Sequence, residues 1–308
     1  MVLLYLLSAL LIELLFPDRL SRLADRFYHL ISPQLQIDFV QLGLPKWVGV
    51  QWWIPVFIWV FAAWLLTGVF ANYAPLVGAA FTLFVLSALI RVSQFSQVMT
   101  SVYLYLNQGD LSKAKSTLAN WAGLPGLLAQ EEVCSEQMLF NLAVQKGCER
   151  ILNQFFALFF WFTVAGLEMV IFHYVVYQSV LKEREQCMST SLQYAPQTFD
   201  ANSQEPVSES LLSPRFVLML LNWIPARLFA LTLISKINPA DLSLFWQKDL
   251  TQKRSNVVYL ERLVYSAFKY QTQHEQSVDA IYLWVNWVFT SIVLWLFVTL
   301  VFTLFGFL

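Results

Sequence analysis

Cysteine, histidine and charge are all scarce in this chain: three Cys, three His and 13% charged residues in 308. Each scarcity removes a class of function. Cys134, Cys148 and Cys187 show no CxxC spacing and read as free thiols. His29, His173 and His274 stand too far apart to form a metal-binding helix face, so no metal or other cofactor is expected. The ten glycines are too scattered to cradle a phosphate, and there is no Walker loop, GxGxxG, GxSxG or Ser-His-Asp arrangement. No catalytic residue emerges from this reading. Basic residues alternate with acidic ones, which argues against a nucleic-acid partner.

What the chain has instead is apolar and aromatic surface, 58% and 16% of its residues, the composition of a polytopic membrane protein whose first partner is lipid. Six apolar stretches qualify as spans: 1–16, 50–70, 75–92, 151–181, 216–235 and 280–308. The first lacks the basic start and small-residue cleavage site of a secretory signal. The second and third are joined by the uncharged Ala71-Asn72-Tyr73-Ala74 link and read as a tight hairpin. The 31 residues of 151–181 are long enough to span with strong tilt or to break near Gly166. The expected fold is an all-α transmembrane bundle in one membrane domain over 1–308, with one span interrupted by proline and amphipathic helices on the cytoplasmic side.

Lys and Arg decide the orientation. Segments 17–49, 91–150 and 236–279 carry fifteen of them, while the alternate segments carry Lys182, Arg184 and Arg215 only. The positive-inside rule places the first three in the cytoplasm, both termini on the far side, and the Ser-, Gln- and Pro-rich loop 182–214 on the far side too. Within the cytoplasmic segments 93–150 and 236–279, helical stripes recur. Asp110 is placed to cap a helix carrying Leu111, Ala114, Leu118 and Trp121 on one face and ending at Gly123. A second helix runs over 129–150, and a third carries Val257, Leu260, Val264 and Phe268 on one face. Stripes of this kind pack against other helices.

Ionisable groups inside apolar spans are candidate site residues by default, and Glu13, Glu168 and Arg227 qualify. Arg227 would sit near mid-membrane at a cost of roughly 2.5–3.5 kcal/mol, which pairing with Glu168, with Glu13 or with a bound anion would offset. Two residues earlier, Pro225 kinks the helix and frees a carbonyl near Leu221, which Asn222 or another polar group could satisfy.

The run Asn222-Trp223-Ile224-Pro225-Ala226-Arg227-Leu228 resembles the (D/N)-W-(I/V)-P-x-R-L signature of the CobD/CbiB and AmpE superfamily of bacterial inner-membrane proteins. Residues 157–166, Ala-Leu-Phe-Phe-Trp-Phe-Thr-Val-Ala-Gly, are similar to that family's P-L-F-(Y/W)…G segment, with Leu158 where proline is usual. The short first span ending in Pro-Asp-Arg, the Gly-Asp-Leu-Ser-Lys-Ala helix and the apolar tail follow in the same order, so the resemblance covers nearly the whole chain. The CobD/CbiB branch joins an aminopropanol unit to a corrinoid carboxylate, and its signature includes an acidic E-x-x-x-E-N run followed by Asp. Here Glu149 matches one Glu, Arg150 replaces the Asn, Asn153 replaces the Asp, and Tyr177-Gln178-Ser179-Val180 stands where N-T-(L/M)-D is expected.

The resemblance therefore implies the AmpE branch: a signalling accessory of β-lactamase induction and peptidoglycan recycling, without catalysis of its own, working with an AmpD-like cytoplasmic amidase. Arg227, Asn222, Glu168, Glu149 and Asn153 form the expected binding set. A cobalamin-synthesis amide synthase, and a lipid or anionic small-molecule binder or transporter, are the rival expectations.

Overall fold

The computed structural model describes residues 2–16, 22, 53–123, 136–194, 213–233, 236, 256–272 and 279–305. The expectations for most of segment 17–49, for 124–135, for 195–212 and for 237–255 lie outside the described residues, as do Cys134, His29 and His274. The protein is an all-α membrane bundle, and among the described residues there is no strand. Three stretches, Pro75–Asn107, Pro214–Leu233 and Asp279–Leu304, are long and apolar enough to cross a membrane; Val2–Leu15 and Val56–Phe70 are shorter apolar helices.

Helices α1 (Val2–Leu15), α2 (Trp53–Tyr73) and α3 (Pro75–Leu89) form the first membrane group. Pro75 opens α3 in its first turn, where its missing N–H has no intrahelical partner to lose. The chain then turns through Ile90, which is extended, and Arg91 before α4 (Val92–Asn107) begins. Glu13 of α1 holds that break. Its buried carboxylate accepts hydrogen bonds from the Ser93 N–H at 3.0 Å and from the Ser93 hydroxyl, at a helix N-terminus where negative charge is favoured. Glu13 is thus a cap between two helices, not a counter-ion for Arg227.

Beneath this group α4, α5 (Leu111–Ala122), α6 (Glu136–Ile151) and α10 (Asn256–Thr272) make a basal bundle. The expected stripes face its core: Ala114, Leu118, Trp121, Leu260, Val264 and Phe268 are all buried there. The Asp110 carboxylate accepts from the Lys113 N–H at 3.1 Å, and Gly123 ends α5 at φ 74°, as the sequence pattern predicts. Gly147 lets α6 approach its neighbours closely, since a Cβ there would lie 2.9 Å from the Trp284 indole nitrogen and 3.1 Å from the Phe95 ring.

The stretch 151–181 is not one tilted helix. A π turn, Leu152–Phe156, follows α6, α7 (Ala157–Ala165) ends at Gly166, and α8 (Leu167–Tyr194) begins beyond it. Gly166 has φ 82° and ψ −167°, a conformation essentially reserved for glycine, so the chain turns there. Helices α9 (Pro214–Leu233) and α11 (Asp279–Leu304) complete the bundle; Thr232 and Ser291 join them with hydroxyls 2.6 Å apart.

Candidate functional site

A chain of buried amides and an imidazole runs through the centre of the molecule. His173 Nε2 lies 2.9 Å from Asn222 Oδ1, Asn222 Nδ2 donates to Asn153 Oδ1 at 2.7 Å, and Asn153 Nδ2 donates to the Glu149 carbonyl at 2.6 Å. His173 is fully buried, and both asparagines are nearly so. The amide assignments fix the direction of every bond. With Asn222 Oδ1 able only to accept, the proton on His173 is assigned to Nε2, leaving Nδ1 as a buried acceptor without a hydrogen-bond partner among the described residues. All donors therefore point the same way, from α8 through α9 to the carbonyl at the end of α6.

Local backbone irregularities place these groups. The π turn at Leu152–Phe156 inserts an extra residue just where Asn153 must reach back one turn to Glu149, an irregularity common at functional sites. On α9, Pro225 cannot donate to the Leu221 carbonyl, and the Trp161 indole N–H supplies that bond instead at 3.2 Å. The residue expected to help there, Asn222, is turned to Asn153 and His173. The freed carbonyl was legible from Pro225; its partner on α7 was not.

The structure brings Asn222, Asn153 and Glu149 together and puts Arg227 and Glu168 elsewhere. Arg227 donates to Asn256 Oδ1 at 2.5 Å, and its guanidinium lies 4.9 Å from the Trp223 ring centroid and 4.8 Å from that of Tyr259. Asn256 also donates to the Met219 carbonyl at 2.7 Å, so one amide ties α10 to two turns of α9. The ring faces attract the cation electrostatically, and the half-buried guanidinium is placed against the basal bundle. Glu168, in the first turn of α8, accepts from the Thr67 hydroxyl at 2.8 Å. It joins α8 to α2 where the Arg227 pairing had been expected.

Glu149 is buried, and its carboxylate meets Lys146 at 3.1 Å. Close by, Glu261, Tyr265 and Cys148 influence one another across α6 and α10. Burial pushes all three upward; Glu261 reinforces the effect on Tyr265 and Cys148, so both stay protonated and Cys148 is no thiolate nucleophile. Among the described residues no group of three His, Cys, Asp or Glu converges in a way that could hold a metal ion. The arrangement can orient side chains and tie α6, α8 and α9 together by hydrogen bonds.

His173, Trp161, Asn256 and Tyr259 escaped the sequence reading. His173 carried a signal, an imidazole in an apolar run, that matched the polar Asn222 in α9; Trp161 stood out only within the family-like 157–166 segment, and Asn256 and Tyr259 carried no signal. Comparison with protein-family models, with curated proteins and with solved structures gives no match.

Proposed function

We propose that the chain is an AmpE-like member of the CobD/CbiB/AmpE superfamily: a multi-pass protein of the bacterial inner membrane, without catalysis of its own. It relays peptidoglycan-recycling status, linked to β-lactamase induction, to an AmpD-like cytoplasmic amidase. Segments 17–49, 93–150 and 236–279 face the cytoplasm, and both termini lie on the far side, in keeping with the excess of Lys and Arg.

One observation carries this reading. The polar groups of the Asn222–Leu228 run are taken up by helix contacts: Asn222 by Asn153 and His173, the carbonyl freed by Pro225 by Trp161, and Arg227 by Asn256 and two rings. Amide synthesis on a corrinoid calls for carboxylates that manage cations or protons. The polar chain offers Glu149, already held by Lys146, with Asn153 in the place of an Asp. A buried, directional chain joining three helices suits a two-state relay better than a reaction centre.

Three measurements test it. Purified protein supplied with cobyric acid and aminopropanol phosphate is expected to yield no amide product, and a detectable product would move the chain to the enzyme branch. Deleting the gene is expected to alter the β-lactamase response to a cell-wall inhibitor, and an AmpD-like amidase is expected to co-purify from membranes. An unchanged response together with no amidase would overturn the signalling role.

A further inference from the structure

The hydrogen-bonded chain constrains how the middle of the polypeptide enters the membrane. Asn153 and His173 are both in contact with the Asn222 amide, at 2.7 and 2.9 Å, so side-chain reach limits their Cα atoms to no more than about 16 Å apart. A continuous helix would separate residues twenty apart by about 30 Å. The arm before Gly166 and the arm after it therefore fold back on each other.

Depth can be read from the neighbours. Glu168, just past the turn, meets Thr67, six residues before α2 ends at Tyr73, so the tip lies within about 9 Å of the uncharged α2–α3 link. Phe162 packs edge-on against Tyr5 at 6.3 Å, eight residues or about 12 Å along α1 from Glu13, whose carboxylate marks the start of the basal bundle at Ser93.

Below His173, α8 runs ten more residues, about 15 Å, down to Glu183, which pairs with Arg215 at the start of α9 at 3.1 Å. Helix α9 then meets α10 of the basal bundle through Met219 and Arg227, both on Asn256. Its beginning and the helix that follows it thus lie on the same side.

We propose that α7 and α8 form a re-entrant hairpin that enters and leaves the membrane on the cytoplasmic face, and that α9 makes no net crossing. The membrane is crossed by α1, α2, α3 and α11. Both termini still lie on the far side, but Lys182, Arg184 and Arg215 move to the cytoplasmic face, and so does Arg227. All 19 Lys and Arg of the chain are then on one side, a complete positive-inside pattern where six crossings leave three exceptions and a cation in mid-membrane. The Glu149 end of the His173–Asn222–Asn153 chain then lies toward the cytoplasmic side. This inference rests on geometry and charge, and it stands whether or not the signalling role does.

Trypsin on the unaltered protein is the direct test. Added to right-side-out vesicles, it is expected to leave the chain full length; added to inverted vesicles, it is expected to cut. Fragments produced from the far face at Lys182, Arg184 or Arg215 would overturn the hairpin. A second readout covers protected sites: single-cysteine variants Tyr73→Cys, Ser112→Cys and Lys182→Cys, each without the native cysteines, labelled with a membrane-impermeant maleimide. Tyr73→Cys is expected to label in spheroplasts, and the other two at least tenfold less until the membrane is opened. Labelling of Lys182→Cys in spheroplasts at the Tyr73→Cys level would sink the proposal.

Discussion

The membrane half and the basal half of this molecule solve opposite problems with the same residues. In α2, α3 and α11 large apolar side chains point outward: Phe57 is 64% exposed, Leu76 85% and Phe297 59%. In the basal bundle, and where the start of α11 packs onto it, such side chains point inward, and Trp284, Phe95, Met99 and Leu118 are almost fully buried. Lipid accepts what water expels, so outside the base apolarity no longer says which face is the interior. There the position of the few polar groups is informative, because a buried amide or carboxylate without a partner is costly in lipid and in a protein core alike.

The sharpest break between the halves is expected from paired truncations. Trp284→Ala should destabilise the protein by about 3–5 kcal/mol, since it empties a fully buried site, whereas Phe57→Ala should stay within about 0.5 kcal/mol. Denaturant titration in mixed micelles measures both, and equal losses would erase the distinction. Next in size is Asn222→Ala. It leaves the Asn153 carbonyl and the His173 ring without partners and should cost about 1–3 kcal/mol. Combined with Asn153→Leu the loss should be less than additive, and strict additivity in the double-mutant cycle would show that the two amides act independently.

Trp161→Phe should cost about 1 kcal/mol, because it removes the donor to the Leu221 carbonyl while keeping an aromatic ring. The Pro225→Ala background sharpens that test: a backbone N–H restored at 225 should make Trp161→Phe nearly silent.

Two acidic residues of the base should respond to pH in opposite senses. Hydrogen bonds from Lys113 and Ser112 lower Asp110 from 3.8 to about 2. The cap then stabilises α5 fully above about pH 4 and loses that contribution as pH falls toward 2. Asp110→Asn should remove the dependence, and amide exchange in α5 would report it. Burial raises Glu261 above its ordinary 4.5, so the folded state holds this proton more tightly than the unfolded chain does. Stability from this group is therefore lost as pH rises through the raised value. Glu261→Gln should melt slightly higher than the parent at pH 7 and equally at pH 4; a lower melting point at pH 7 would mean that the carboxylate has a stabilising partner.

The sequence disclosed the helices far better than their directions. Apolar length gave α1, α2, α3, α9 and α11, and the caps at Asp110 and Gly123 were legible because capping is local chemistry. The turn at Gly166 was visible only as one of two options, since a glycine in an apolar run reads alike for a kink and for a reversal. What separates them is a contact between residues twenty apart, carried by a third helix. The same reason hid the company of Arg227: its partners, Tyr259 and Asn256, sit on a helix whose sequence pattern reads as an ordinary amphipathic stripe. Asn222 and Asn153 were both named as candidates, one for Pro225 and one by resemblance, but nothing along the chain announced that they touch.

The extra residue of the Leu152–Phe156 turn has a consequence for phase. One residue rotates everything beyond it by about 100° relative to a regular helix. That offset is why the arc of α6 that lies against α10 and the arc of α7 that lies against α9 can belong to one continuous rod. Loss of a single codon in this turn would delete almost no volume, yet it would aim Trp161 away from the Leu221 carbonyl and swing the whole upper arm out of register.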